Sequence, residues 1–292
     1  MTTTTLPAPP RRDADAGTRD LVGQAARLAE IDGATLERMQ AEALGAPSGV
    51  VAYGDYQSGG WWTVSLFNHS GDPLDTVVGD GRARATSLLA QMPATAAFLD
   101  GLSLDLMYVR LARLGPNSFL WPHRDYAELS DAPRHRLHIP LLTNPSAVLV
   151  THGARVHMAA GAMWRLTPTV EHGVCNVTGP DRLHLIADVY ADDAYQRLAD
   201  KPHLLDGDAV PLPELSEADH AALLGKAGEL ADLGYTGAAE QLLLRTYFGH
   251  ALPEGGAYDL IAEMFELRGN AAAAERWRAD RDRLLARTAD AR

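Results

Sequence analysis

The sequence is poor in cysteine and in positive charge. Its single cysteine, Cys175, cannot form an internal disulfide or a cysteine-based zinc site, which favours a reducing compartment. Lys and Arg total 26 against 38 Asp and Glu, so the formal net charge is -12. This excess of negative charge disfavours a protein whose main partner is the phosphate backbone of nucleic acids.

Long apolar stretches are also missing. No run reaches the roughly 18 apolar residues of a membrane-spanning helix, and the first residues lack the apolar stretch of a secretory signal. We therefore expect a cytoplasmic protein with neither membrane nor nucleic-acid partners. Residues 1–17 are mostly Thr, Pro, Ala and charged residues, with too little apolar surface to offset the entropy of ordering, so we predict disorder there.

Hydrophobic periodicity divides the rest of the chain into a β-rich part and a helical part. Apolar residues recur at helical spacing over 18–31 and 36–43, which predicts two N-terminal helices. Between 104 and 190, short runs rich in β-branched and aromatic residues alternate with Gly, Pro and Asn, as in an all-β sandwich or barrel. We assign 18–205 to this mainly β domain.

Residues 206–292 are rich in Ala, Leu, Glu and Arg and predict a C-terminal helical domain. Ser216 and Thr236 are expected to cap helices there, and Gly269 is expected to end one. The sequence of these helices fits two roles equally well: they could pack on the β domain and stabilise it, or they could form a surface that binds a partner or a second copy in a homodimer.

One short motif, His123-x-Asp125, has the residue types of a metal site. Residues two apart in an extended chain point the same way, so this histidine and carboxylate can reach one ion. Two imidazoles and one carboxylate on one face of an octahedron leave the opposite face open, the arrangement of non-haem Fe(II) oxygenases. A third ligand is therefore needed from elsewhere in the chain.

His172 is the best candidate, because it follows a predicted strand and lies several short strands beyond Asp125. Arg182 begins the next predicted strand. An arginine that faces the inside of a barrel is costly unless it meets an anion, and its guanidinium matches a carboxylate with two parallel bonds. A dicarboxylic co-substrate such as 2-oxoglutarate would supply that anion.

Four stretches of the sequence carry a resemblance to a known family: Pro122-His123-Arg124-Asp125-Tyr126, Arg136-Leu137-His138, Gly161-Ala162-Met163-Trp164 and Arg182-Leu183-His184-Leu185. Together they resemble the iron- and 2-oxoglutarate-dependent hydroxylases of the aspartyl/asparaginyl β-hydroxylase superfamily, and within it the bacterial proline cis-3 and cis-4 hydroxylases. The resemblance covers most of the chain after about residue 45. The residues after Trp164 and before His172 depart from the proline hydroxylases, which leaves the substrate open.

The resemblance implies a double-stranded β-helix, the cupin-like jelly roll, and a role for each candidate residue. His123, Asp125 and His172 would bind Fe(II) at the catalytic centre. Arg182 would hold the far carboxylate of 2-oxoglutarate, with Arg136 and His138 nearby. Arg110 and Trp62 would contact the substrate.

The implied reaction inserts oxygen from O2 into an unactivated C–H bond of a free amino acid or close derivative, and releases succinate and CO2. The carboxylate of Asp125 implies hydroxylation, because related halogenases carry a small residue there. One alternative is hydroxylation of Asp or Asn in a peptide, a protein or a carrier-tethered residue. A second is a cupin-like metal-binding module without turnover, which would have no use for a dicarboxylate clamp at Arg182.

Overall fold

The computed structural model describes residues 20–52, 54–125 and 134–286. The predicted disorder at 1–17 lies outside these residues. The strands are β1 (Ala25–Glu30), β2 (Trp61–Asn68), β3 (Arg84–Ala85), β4 (Leu106–Leu114), β5 (Ser118–His123), β6 (Arg134–Leu142), β7 (Ala147–Thr151), β8 (Ala154–Val156), β9 (Ala162–Leu166), β10 (His172–Asn176), β11 (Arg182–Tyr190) and β12 (Ala209–Pro211).

The α-helices of the described residues are short, and most lie after the strands. Residues 20–24 are helical, and the other helices are α1 (Gly33–Gly45), α2 (Pro93–Leu102), α3 (Asp193–Leu198), α4 (Glu217–Asp232), α5 (Thr236–Arg245), α6 (Gly256–Leu267) and α7 (Ala271–Leu284). None of these helices is both long and apolar enough to cross a bilayer.

Two antiparallel sheets face each other. The larger has the order β1-β9-β6-β11-β4-β2-β3, and the smaller has the order β12-β8-β7-β10-β5. From β4 to β11 the chain crosses between the sheets so that strands distant in sequence become neighbours, which is the jelly-roll pattern. The predicted double-stranded β-helix is therefore confirmed.

Successive side chains of each strand point alternately into the space between the sheets and outward towards the helices. On the outer face of the larger sheet, Leu111, Leu137 and Leu185 pack in one core with Met39 of α1 and Leu99 of α2. A second core between the sheets contains Leu114, Leu120, Val174 and Ile186 among others.

The C-terminal helices cover the outer face of the smaller sheet. Phe119, Trp121 and Cys175 share a buried core with Leu243 and Tyr258 of these helices. Cys175 is 1% exposed, and burial raises the pKa of its thiol to about 12, so it is an unreactive core residue.

The first predicted helix is only partly correct. Residues 20–24 are helical, but Ala25–Glu30 form β1, which pairs with β9 at the edge of the larger sheet. Its sequence, AARLAE, favours a helix, yet sheet pairing and burial of Ala25 and Ala26 outweigh that local preference. The second predicted helix is confirmed as α1.

The helix ends predicted in the C-terminal part are confirmed at two positions and wrong at one. The Ser216 side chain accepts a hydrogen bond from the Asp219 N–H and caps α4. Gly269 follows α6 with a φ of 70°, a left-handed conformation suited to glycine. Thr236 is the first residue of α5 rather than its cap, and no side chain caps that helix.

Candidate metal centre

Three predicted metal ligands meet at one end of the smaller sheet. His123 ends β5 and His172 begins β10, and the antiparallel pairing of these strands places the two histidines opposite each other. Asp125 lies two residues beyond His123. One ligand atom from each of the three side chains lies within 4.8 Å of the others. Strand pairing thus unites His123 and His172, which are 49 positions apart in the sequence.

Both imidazoles are held with Nε2 towards Asp125. The Nδ1–H of His123 donates to the Trp121 carbonyl oxygen at 2.7 Å, and that of His172 donates to the Val170 carbonyl oxygen at 2.9 Å. The Nε2 atoms lie 3.9 Å and 3.6 Å from the Asp125 carboxylate. A bonded Nδ1–H leaves the Nε2 lone pair available to a metal.

Burial sets the charge of these ligands. It lowers the pKa of His123 and lowers the pKa of His172 to about 3, so both rings are neutral at physiological pH. Burial opposes ionisation of Asp125, but the positive charge of the Arg136 guanidinium favours it, and the pKa of this carboxyl lies well below the usual range. Two neutral nitrogen donors and one carboxylate oxygen are a donor set that suits Fe(II) with open coordination positions.

A second group of predicted residues lies deeper between the sheets. Arg182 and His138 line the same narrow cavity as the three candidate ligands. Arg182 is 3% exposed and bonds to the ring of His184 at 2.9 Å, and His184 in turn lies 3.3 Å from His138. His184 was not among the predicted site residues. The same-face alternation of Arg182 and His184 in β11 was the signal that could have found it.

The anion site predicted at Arg182 has buried polar atoms without partners. Among the described residues, Nη1 of Arg182 and Nε2 of His138 are buried without a hydrogen-bond partner, and Arg182 has no carboxylate within ion-pair distance. Burial lowers the pKa of Arg182 to about 9, which still leaves it cationic at neutral pH. A buried, uncompensated guanidinium is costly, and a bound carboxylate would relieve that cost.

Arg136 and Arg110 both line the cavity, and both pair with an aspartate that was not predicted. Arg136 donates to Asp125 at 2.6 Å and to Asp188 at 2.7 Å. Arg110 donates to Asp188 at 2.6 Å and lies over the Tyr108 ring. Asp188 continues the inward-facing alternation of Arg182 and His184, which was the available signal for it.

Trp62 is not brought to the cavity. It is half-buried on the other face of β2, beneath the guanidinium of Arg113, while its neighbour Trp61 lines the cavity instead. Tyr56 also lines the cavity, and its ring centroid lies 4.4 Å from that of His123. Alternation predicts that two adjacent tryptophans face opposite sides, but it does not say which one faces in.

Asp125 also borders an open cleft beside the C-terminal helices. Arg124, His152, Val170 and Glu254 line this cleft. The last three also line a larger cleft of about 730 Å³, which lies against the C-terminal helices. The smaller cleft provides an approach from solvent to the Asp125 carboxylate.

Comparison with known proteins gives matches over much of the chain. The family model for aspartyl/asparaginyl beta-hydroxylase matches residues 29–192. The L-proline cis-4-hydroxylase of Rhizobium meliloti (strain 1021) is 27% identical over 233 residues, which cover 77% of this chain and 82% of that protein. The L-proline cis-3-hydroxylase 2 of a Streptomyces species is 25% identical over 256 residues, which cover 82% of this chain and 87% of that protein.

Solved structures also align with part of the chain. A 2OG-Fe(II) oxygenase family oxidoreductase from Burkholderia pseudomallei aligns with a TM-score of 0.45 and 15% identity, covering 62% of this chain and 90% of that one. A Pseudomonas putida prolyl-4-hydroxylase aligns with a TM-score of 0.37 and 17% identity, and the alignment covers 60% of this chain and 96% of that one.

Proposed function

Because this chain belongs to the aspartyl/asparaginyl β-hydroxylase family, we propose that it is an Fe(II)- and 2-oxoglutarate-dependent hydroxylase of a free amino acid or close derivative. The chain covers more than four fifths of two relatives that are named as hydroxylases of L-proline. The expected products besides the hydroxylated amino acid are succinate and CO2.

The observation that carries the proposal is the buried guanidinium of Arg182 in the cavity of the candidate metal centre. Its Nη1 atom and Nε2 of His138 have no hydrogen-bond partner among the described residues. A dicarboxylate that binds a metal through one end and reaches Arg182 with the other would satisfy the guanidinium. A module that only holds a metal has no need of this cationic pocket.

His123, Asp125 and His172 would hold Fe(II), and Arg182 would hold the far carboxylate of 2-oxoglutarate, with His138 beside it. When bound, the iron and its co-substrate supply the oxidation of an unactivated C–H bond by O2. The buried imidazoles stay neutral and offer Nε2, and the Asp125 carboxylate supplies the negative charge that a divalent ion needs.

The remaining cavity residues orient these groups and restrict access. Arg136 fixes one oxygen of Asp125, while the backbone N–H of Asp125 donates to the Pro168 carbonyl oxygen at 2.9 Å. Tyr56 and Trp61 wall the cavity with aromatic surface and limit access of water to it. Arg110 lines the same cavity, and its guanidinium has the N–H geometry that suits a substrate carboxylate.

Succinate release tests the substrate class. The protein is supplied with Fe(II), 2-oxoglutarate and O2, and succinate is measured across a panel of free amino acids and matching N- and C-blocked peptides. We expect stimulation by at least one free amino acid and formation of its hydroxylated product. Stimulation by the blocked peptides alone would replace the free amino acid with a peptidyl substrate.

A further inference from the structure

Asp188 joins the two arginines of the cavity. Its side chain is 0% exposed. One oxygen accepts from Nη1 of Arg110 at 2.6 Å, and the other accepts from Nε of Arg136 at 2.7 Å. Arg136 donates through Nη1 to the Asp125 carboxylate at 2.6 Å. A continuous line of charged contacts thus runs from Arg110 through Asp188 and Arg136 to a candidate metal ligand.

The sheet fixes this arrangement. β11 lies between β6 and β4, where Asp188 is opposite Arg136 on one side and Ile186 is opposite Arg110 on the other. All three charged side chains therefore project from paired strands rather than from loops. Their positions are set by strand register, which gives the contacts little freedom to rearrange.

The charge of Asp188 affects how well Asp125 can bind a metal ion. Without Asp188, Arg110 and Arg136 would both lose this carboxylate, and Arg136 would keep its ion pair with Asp125. Arg136 would then hold Asp125 more tightly, and the added positive charge near the site would repel a divalent cation. With Asp188 present, Arg136 shares its charge between two carboxylates, and Asp125 keeps an oxygen for the ion.

We propose that Asp188 is a positioning residue that keeps Asp125 available to the metal by neutralising Arg110 and Arg136. This inference rests on the proposed function, since it concerns the same metal centre. Asp188 acts through Arg136 and does not itself coordinate the ion. Loss of its negative charge should weaken binding of the metal cation but should not weaken binding of the 2-oxoglutarate dianion.

Asp188→Asn tests the proposal because the amide has the shape of the carboxylate but not its charge. Metal-free protein is titrated calorimetrically with Mn(II), and the Mn(II)-saturated protein is then titrated with 2-oxoglutarate. We expect the Mn(II) dissociation constant to rise about 10- to 100-fold. The dissociation constant for 2-oxoglutarate should stay unchanged or fall.

Asp208→Asn is the matched control. Asp208 is also a buried aspartate and pairs with Arg27 at 2.7 Å and 2.9 Å, but it does not line the cavity. We expect this variant to lose thermal stability while it keeps the wild-type affinities for Mn(II) and 2-oxoglutarate. Equal loss of Mn(II) affinity in both variants would mean that Asp188 has only a structural role.

A charge-balanced variant separates positioning from folding. In Asp188→Asn with Arg110→Gln, one negative and one positive charge are removed together. We expect this double variant to bind Mn(II) within about threefold of wild type, even if the single variant does not fold. A double variant that binds no better than the single variant, or a folded single variant with wild-type Mn(II) affinity, overturns the inference. If wild-type protein itself fails to bind Mn(II), the proposed function fails instead.

Discussion

The hydroxyl of Tyr258 donates to the carbonyl oxygen of Pro122, the residue directly before His123, at 2.6 Å. This contact joins α6 to the segment that carries two candidate ligands. Two others accompany it: the Arg124 N–H donates to the Leu284 carbonyl oxygen at 2.9 Å, and the Gly255 N–H donates to the Glu171 carboxylate at 3.2 Å. The C-terminal helices therefore hold both ligand-bearing segments from outside the jelly roll.

Tyr258→Phe should loosen the metal centre, because it leaves the buried Pro122 carbonyl without this donor. We expect the free energy of unfolding to fall by about 1 to 2 kcal/mol. The Mn(II) dissociation constant should rise by about threefold or more, as for other residues that orient ligands. Tyr235→Phe, at a tyrosine that is 62% exposed, is the control. Wild-type Mn(II) affinity in Tyr258→Phe would show that the hydroxyl does not support the ligands.

Gly173→Ala should destabilise the protein. A Cβ at this position would lie 2.9 Å from the Tyr247 ring and 3.1 Å from the Leu120 carbonyl oxygen, so the helical layer would have to move away from β10. We expect a loss of about 1 to 3 kcal/mol in chemical denaturation. Gly225→Ala in α4 meets no atom within 4 Å and should stabilise slightly. Equal stability of the two variants would contradict the close contact.

The ion pair of Asp208 with Arg27 should make stability depend on pH. Burial raises the pKa of Asp208, but hydrogen bonds from Arg27 and from the Leu205 N–H outweigh it and lower the pKa below 3.8. The ion pair therefore contributes its full stabilisation to the folded protein above pH 3.8. This stabilisation is lost as the pH falls through the lower pKa that Asp208 has in the folded protein.

Asp208→Asn should accordingly lower the free energy of unfolding at pH 7 by on the order of 3 kcal/mol, because buried Arg27 loses its closer carboxylate and keeps the more distant, exposed Glu30 at 3.5 Å. The difference from wild type should shrink as the solution is acidified. Urea denaturation from pH 7 downwards measures both effects, with exposed Asp206→Asn as the control. A difference that grows on acidification would contradict the assigned direction of the pKa shift.

Arg182→Ala should weaken 2-oxoglutarate binding with little effect on the metal. We expect a loss of roughly 2 to 5 kcal/mol in binding free energy, since a buried charge pair is removed. Calorimetry with Mn(II)-saturated protein measures it, and Arg113→Ala removes an exposed arginine that pairs with Asp181 as the control. If Arg182→Ala bound 2-oxoglutarate as tightly as wild type, the far carboxylate would bind elsewhere.

Spacing along the chain was enough to predict which residues converge at the metal centre. His123 and Asp125 share a face at the end of one strand, and pairing of β5 with β10 brings His172 to the same end. Short β-rich runs between turn residues predicted an all-β sandwich or barrel, and the family resemblance narrowed this to the jelly roll. These features depend on local alternation and on how strands of a jelly roll pair.

Strand register and edge pairing could not be predicted in the same way. Asp188 meets Arg110 and Arg136 only because β11 lies between β4 and β6 in one particular register. The choice between Trp61 and Trp62 likewise depends on which face of β2 turns inward. Residues 25–30 have a helical sequence pattern, and only the open edge of β9 makes them a strand.

The most direct test of the central claim is absorption spectroscopy of the protein with Fe(II) and 2-oxoglutarate in the absence of O2. Chelation of the iron by the keto acid should give a visible charge-transfer band in wild type that saturates at one equivalent of each. His172→Ala should lack the band because a ligand is missing. A wild-type protein without the band, or a His172→Ala variant that retains it, would contradict a metal centre built from His123, Asp125 and His172.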